Sequence, residues 1–159
     1  MANLLARKGN KVSGIVCFEI DDEDSKWLRD RSYRFYNKTL FVRLFSEDGV
    51  KLVHIARYIL APIPDGMVVD HIDGNPLNNK RENLRICTPQ QNAWNMKRRR
   101  DSLCAYKGVT KRRDRWAARI CHDGKLRHLG VFDTQEEAAR AYQAEAKRLF
   151  GDFARIERI

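Results

Sequence analysis

The 159-residue sequence predicts an α+β fold, with an N-terminal β-rich segment leading into a ββα unit and then a small βββα unit. Three observations predict it. Residues 12–60 hold short runs of mixed apolar and polar side chains broken by acidic turns. Residues 67–98 read as strand, long turn, strand and capped helix. Residues 107–150 read as three strands followed by one amphipathic helix. The length suits one ordinary domain or two small ones. The expected segments are 1–60 (β-rich, packing with the ββα unit), 61–96 (ββα), a basic linker at 97–104, and 105–156 (βββα).

In the first segment the runs 12–20 (VSGIVCFEI), 38–45 (KTLFVRLF) and 50–60 (VKLVHIARYIL) are strand-like. Asp21 to Asp24 and Glu47-Asp48-Gly49 punctuate them as turns. Residues 51–60 fit either a strand or a strand running into a short helix, and periodicity leaves both open. Pro62 and Pro64 break the pattern. Met67-Val68-Val69 then forms a strand that ends at Asp70-His71, and Asp73-Gly74-Asn75-Pro76 turns the chain. Residues 84–87 make a second strand. Thr88-Pro89-Gln90-Gln91 has the signature of a helix start, with Thr at the N-cap, Pro at N1 and Gln at N3. That helix is expected to run to about Arg98. Further on, the runs 107–110, 115–121 and 125–131 are separated by Arg113-Asp114 and by His122-Asp123-Gly124, the latter an Asp-Gly hairpin signal. Asp133 or Thr134 caps the last helix. Its Ala138, Ala141, Tyr142, Ala146 and Leu149 fall at helical spacing, and Gly151 ends it.

Lys and Arg number 31 against 21 Asp and Glu, a formal charge of +10, so the expected partner is a polyanion. The excess is lopsided: residues 1–95 carry a net +2 and residues 96–159 a net +8. A solvated surface accounts for a high charge content but not for one sign gathered in one part of the chain. Cys17, Cys87, Cys104 and Cys121 form no C-x-x-C pair, so no structural zinc is expected. No segment approaches the roughly 18 apolar residues of a membrane span. A soluble, cytoplasmic protein with reduced thiols, no membrane partner and no small-molecule cofactor is expected.

The stretch VDHIDGNPLNNKRENLRICTPQQN, residues 69–92, fixes Asp70, His71, Asp73, Gly74, Asn75, Asn78, Asn79, Asn83, Leu84, Thr88 and Asn92 at set intervals. This pattern resembles the HNH endonucleases of the phage and intron-homing type. The resemblance implies Asp70 and Asn92 as metal ligands, His71 as general base, and Asn83 as the central Asn that braces the loop and orients the base. Phosphodiester hydrolysis needs a base for water and a hard cation for the charge that develops. Magnesium keeps several waters and asks for only one or two protein groups. An Asn in the last position, where other members carry His, favours oxygen-ligated magnesium, with manganese substituting. Asn75, Asn78 and Asn79 read as turn formers and Thr88 as a cap. His54 reads as a packed or surface histidine, and His122 as a turn residue without a role.

Alternation along 115–121 puts Trp116, Ala118 and Ile120 on one apolar face and Arg115, Ala117 and Arg119 on the other. With Lys107, Lys111, Arg112, Arg113 and His128, the second face becomes basic and suits a major groove. The block resembles the plant ethylene-response-factor DNA-binding domain through Tyr106-x-Gly108-Val109, Trp116-Ala117-Ala118-x-Ile120, Leu129-Gly130-x-Phe132 and Ala138-Ala139-x-Ala141-Tyr142. The resemblance implies a sheet that enters the major groove, with Lys107, Arg119 and His128 at DNA-facing places and Arg112 and Arg113 joining them after a one-residue gap. Thr110, Cys121 and Leu126 stand where plant relatives carry Arg or Trp, so no sequence preference transfers. Lys97, Arg98, Arg99 and Arg100, lying between the two blocks, are expected to meet phosphate. FEIDDEDSKWL, residues 18–28, resembles the leader found ahead of such HNH modules.

Together the two resemblances imply a phage-encoded or homing endonuclease, at work in an infected bacterial cell. It acts on double-stranded DNA as a monomer or weak dimer, and it nicks to leave 5′-phosphate and 3′-hydroxyl ends. The rival is a catalytically silent DNA-binding regulator on the same scaffold, which binds in a salt-sensitive way and cuts nothing.

Overall fold

The structure, a computed structural model, describes residues 2–8, 15–28, 31–37, 39–46, 49–98 and 104–159. It is a mixed α+β chain that divides into two compact units, Met1–Pro89 and Gln90–Ile159.

The first unit is built on a five-stranded sheet. Its strands are β1 (Ala2–Lys8), β2 (Ile15–Ile20), β3 (Tyr33–Tyr36), β4 (Thr39–Ser46) and β5 (Gly49–His54), in the order β2-β1-β3-β4-β5. The β1–β3 pair is parallel and the other three are antiparallel. Helix α1 (Asp22–Leu28) stands where the sequence suggests a turn at Asp21 to Asp24. By themselves those acids look like turn formers. Placed in a first helical turn, Asp22, Glu23 and Asp24 meet the positive end of the helix dipole. The run 50–60 resolves as strand then helix, since α2 (Ile55–Ile59) follows β5 directly. Its Ile55, Ala56 and Ile59 are buried with Phe18, Ile20, Leu28, Tyr33, Leu40 and Val42.

Two further strands, β6 (Val68–His71) and β7 (Leu84–Cys87), form an antiparallel pair joined by a long loop with a 3₁₀ turn at Arg81–Asn83. Leu84 is buried in the core of the first unit, and Val69 and Leu77 pack against it. The hairpin is therefore anchored on its apolar side, and its loop polar groups are left to organise one another.

Helix α3 (Pro89–Asn95) comes next, and it is shorter than the expected run to Arg98. The division between compact units falls at its first residue, inside the segment expected to be one ββα unit. In the second unit β8 (Val109–Arg112), β9 (Arg115–His122) and β10 (Lys125–Phe132) form an antiparallel sheet in the order β10-β9-β8. Asp123 and Gly124 both have positive φ, 51° and 71°, as a two-residue Asp-Gly hairpin requires. Helix α4 (Gln135–Phe150) starts at Thr134 with a full capping box: the Thr134 hydroxyl accepts from the Glu137 amide, and the Glu137 carboxylate accepts from that of Thr134. Small Ala138, Ala139 and Ala146 bring it close to Val109, Ala118 and Ile120 of the sheet.

Candidate active site

Cross-strand register decides which side chains meet on the β6–β7 hairpin. Asp70 lies directly opposite Arg85, and His71 opposite Leu84. The Asp70 carboxylate is buried, 6% exposed, and its Oδ2 accepts from Arg85 Nε at 2.9 Å and Nη2 at 2.7 Å. A buried carboxylate without a cation beside it is strongly penalised, so this pair is what permits the burial.

The loop between the strands is an asparagine network. Asn83 Oδ1 accepts from the Asp73 amide at 3.0 Å, and its Nδ2 donates to Asp73 Oδ1 at 3.0 Å and to the Asn78 carbonyl at 2.8 Å. Asn78 Nδ2 donates to Asp73 Oδ2 at 2.9 Å, and the Asn75 amide to Asp73 Oδ1 at 2.7 Å. Burial pushes the Asp73 carboxyl upward, but these donors from Asn75, Asn78 and Asn83 outweigh it and hold the group below its ordinary value. Asn83 thus ties Asp73 and Asn78 together within the loop.

The ring of His71 is met by a different residue. His71 Nε2 lies 3.2 Å from Asn79 Oδ1, while Asn79 Nδ2 donates to the Pro76 carbonyl at 3.2 Å. A carbonyl can only accept, so the Pro76 contact fixes the Asn79 amide with its oxygen toward the ring. That oxygen in turn calls for a proton on Nε2, and the neutral ring then carries its basic lone pair on Nδ1. Asn79 is fully buried. As one asparagine in a turn-rich stretch it carries no signal beyond turn formation. Arg85 escapes sequence reasoning for another reason: only the strand register puts it opposite Asp70.

The N-terminal segment holds this loop from outside. The Glu19 amide donates to the Leu77 carbonyl at 2.8 Å, and the Asn79 amide to the Glu19 carbonyl at 2.9 Å. Lys80 Nζ pairs with Glu19 at 3.0 Å, and Arg81 grips buried Asp24 through Nε at 2.8 Å and Nη2 at 2.7 Å. The leader-like residues 18–28 therefore fix the loop that carries the His71 partner.

Asp70, His71 and Asn83 share the hairpin, whereas Asn92 lies on α3 in the second unit. Among the described residues no group of three or more His, Cys, Asp or Glu side chains gathers as a metal cage. Magnesium does not need one. A hard carboxylate oxygen at Asp70, already set against one cation, fits the donor chemistry such an ion prefers.

The basic residues of the second unit separate into groups. Cross-strand partners share a face, so Arg112 with Arg115, and Arg119 with His128, fall on the same side of the sheet. All four are exposed. Arg113 occupies the β8–β9 turn at φ 56°, and Arg115 also pairs with Asp133 at 2.8 Å. Lys111 departs from the expectation: it lies opposite Trp116 on the other face, with its ammonium 5.7 Å from that ring. Lys107 departs further. Its Nζ donates to the carbonyls of Ala93, Trp94 and Met96 at 3.3, 2.7 and 2.8 Å, so its donors turn to α3 and away from the sheet's basic face. Burial lowers its pKa, against the pull of Glu157. Lys97 is exposed and Arg98 half-buried, and Arg99 and Arg100 lie outside the described residues. All four cysteines are free thiols, and among the described residues no helix is long and apolar enough to cross a membrane.

Residues 51–94 match the family model described as HNH endonuclease. The chain is similar to Protein 3.8 of Escherichia phage T7, 40% identical over 97 residues that make up 60% of this chain and 79% of that protein. It is similar to an uncharacterized HNH endonuclease of Acanthamoeba polyphaga mimivirus, 33% identical over 138 residues, 84% of this chain and 72% of the other. A shorter likeness, to an ethylene-responsive transcription factor of Arabidopsis thaliana, is 55% identical over 53 residues, 31% of this chain and 21% of that protein. No solved structure matches significantly. With its motif seated on the β6–β7 hairpin and both long viral likenesses spanning more than two thirds of their partners, the chain belongs to the HNH endonuclease family and is a nuclease.

Proposed function

We propose that the protein is a divalent-metal-dependent endonuclease that nicks double-stranded DNA, leaving 5′-phosphate and 3′-hydroxyl ends. The observation that carries this reading is the His71–Asn79–Pro76 relay, which turns an amide oxygen toward His71 Nε2 and so selects Nδ1 as the nitrogen that would act as base. In this mechanism His71 Nδ1 takes a proton from water as the oxygen attacks phosphorus in line with the leaving 3′ oxygen. The P–O3′ bond breaks as the new P–O bond forms, and the 3′ oxygen leaves protonated from solvent. Asp70 and Asn92 are the residues that would hold magnesium, with manganese able to substitute. A bound ion supplies charge stabilisation to the crowded phosphate and the departing oxygen. Asn83 acts through Asp73 and Asn78, keeping the loop closed around the base. The second unit is the proposed reader of the duplex, an ethylene-response-factor-like sheet presenting Arg112, Arg113, Arg115, Arg119 and His128, with Lys97 to Arg100 on the phosphates between. One hydrolytic site per chain makes a nick the expected product of a monomer, and a double-strand break the work of two copies or two events.

Supercoiled plasmid tests this directly. Wild-type protein is expected to convert it to relaxed circle in magnesium or manganese and to leave it intact in EDTA. His71→Ala is expected to slow the conversion by about 10²-fold or more, the usual share of a general base. A wild-type protein inert in both metals sinks the nuclease mechanism and leaves the silent DNA-binding regulator. Equal cutting by His71→Ala sinks the assignment of the base alone.

A further inference from the structure

Helix α3 spans seven residues, too few to persist in water without outside support. Its support comes from the βββα unit. The Trp94 indole stacks on Phe150 with centroids 4.4 Å apart at 13°, and His122 lies over the same indole at 6.3 Å. Trp94 packs against the core made by Val109, Ile120, Ala139 and Tyr142. The last turn of α3 then presents its carbonyls to Lys107, whose three ammonium protons are matched by the carbonyls of Ala93, Trp94 and Met96. A cation at a helix C-terminus meets the negative end of the dipole and the unpaired carbonyls together. The backbone that carries Lys107 is itself fixed, because the Arg119 amide donates to the Gly108 carbonyl at 2.8 Å. The HNH-family match ends at Trp94, the very residue whose ring packs on Phe150.

We propose that Lys107 is a positioning residue: its ammonium caps α3 and, with the Trp94–Phe150 stack, makes the βββα unit the support that fixes the helix presenting Asn92. The sequence pattern puts Lys107 among DNA contacts. To touch a phosphate, however, it would have to release three carbonyls at once. This inference rests on Asn92 being a metal-holding residue of the proposed nuclease.

The test uses the full chain with Lys107→Met, which keeps most of the aliphatic stem and removes the donors, and Lys107→Arg, which keeps a cation. Duplex affinity and its salt dependence are read by fluorescence anisotropy in EDTA. Nicking is read as a single-turnover rate at saturating plasmid across a magnesium series, and α3 mobility by hydrogen exchange of its amides. Lys107→Met is expected to hold duplex affinity within about twofold of wild type and leave the salt slope unchanged. Its saturated nicking rate is expected to fall on the order of tenfold or more, with a higher magnesium requirement. Exchange in α3 should rise while exchange in β9 does not, and Lys107→Arg should recover much of the rate. The opposite pattern, a salt slope reduced by about one with saturated nicking unchanged, makes Lys107 a phosphate contact and overturns the proposal. If Lys107→Met unfolds the second unit, Lys107→Gln, which keeps a polar head but loses the charge, decides: faster α3 exchange over an unchanged β9 supports the cap, and unchanged α3 exchange overturns it. A wild-type chain that nicks nothing removes the nuclease mechanism, and the exchange measurements then still judge the cap by itself.

Discussion

A buried carboxylate has to be answered by a nearby charge, and at Asp70 the answer is Arg85, with two donors on one oxygen. Removing Arg85 strands that charge, so Arg85→Ala is expected to cost about 3 kcal/mol in metal-free buffer. If Asp70 is also where magnesium or manganese binds, the ion and the guanidinium compete for the same oxygens. Millimolar manganese should then raise the melting temperature of Arg85→Ala more than that of wild type, and Asp70→Asn in the same background should abolish the difference. An identical manganese shift in variant and wild type would separate Arg85 from the metal. The residue scale is also where the sequence is most and least legible. The intervals from Asp70 to Asn92 are readable because each fixed residue sits at a set distance along one chain. Asn79 and Arg85 are not, because one depends on which way a buried amide is turned and the other on a register of Asp70 with Arg85 across two strands. Lys107 is misplaced by sequence reasoning for a related reason, since nothing local reveals that α3 ends beside it.

Among the elements, those made by neighbours in sequence are legible and those made by distant partners are not. The Asp123-Gly124 turn, the Thr134 to Glu137 capping box and the β6–β7 hairpin are specified within a few residues, or within one loop. By contrast β1 pairs in parallel with β3, and a strand of that kind announces itself only through a partner far along the chain. Helix α1 hides inside an acidic run that serves a turn and a helix start equally well. The packing of β8 on α4 turns on one such element-level detail. Gly108 has φ +74°, and a Cβ there would lie 2.1 Å from the Tyr142 ring and 2.8 Å from the Arg119 carbonyl. Neither can yield cheaply, because Tyr142 is wedged in the core and the Arg119 amide is hydrogen-bonded to Gly108 itself. Gly108→Ala is expected to destabilise the second unit by about 3 kcal/mol, combining overpacking with a left-handed backbone that alanine resists. Urea denaturation followed by Trp fluorescence measures it, and a loss under about 1 kcal/mol would mean that the Tyr142 ring has room to swing aside.

Across the whole molecule the charge is unevenly shared: a net +2 over residues 1–95 and +8 over 96–159. A nuclease with so divided a charge is expected to draw most of its duplex affinity from the second part, through counterions released from the phosphates. Which side chains would carry that term depends on where the sheet exposes them. Arg112, Arg113, Arg115 and Arg119 are exposed, three of them in register on one face and Arg113 at the adjoining turn. Lys107 is spent on α3, and Lys111 lies beside Trp116 on the opposite face. With about four phosphates neutralised, the logarithm of duplex affinity should fall against the logarithm of monovalent salt with a slope of about −4. Between about 50 and 200 mM salt that is a loss of roughly a hundredfold. Arg119→Ala should make the slope shallower by about one, while Lys111→Ala, equal in charge removed, should leave it nearly unchanged. Equal changes from both would mean that affinity follows net charge, with the face of the sheet irrelevant. Unequal changes in the expected direction assign the duplex to the face shared by Arg112, Arg115, Arg119 and His128, since the two substitutions remove equal charge from opposite faces of the sheet.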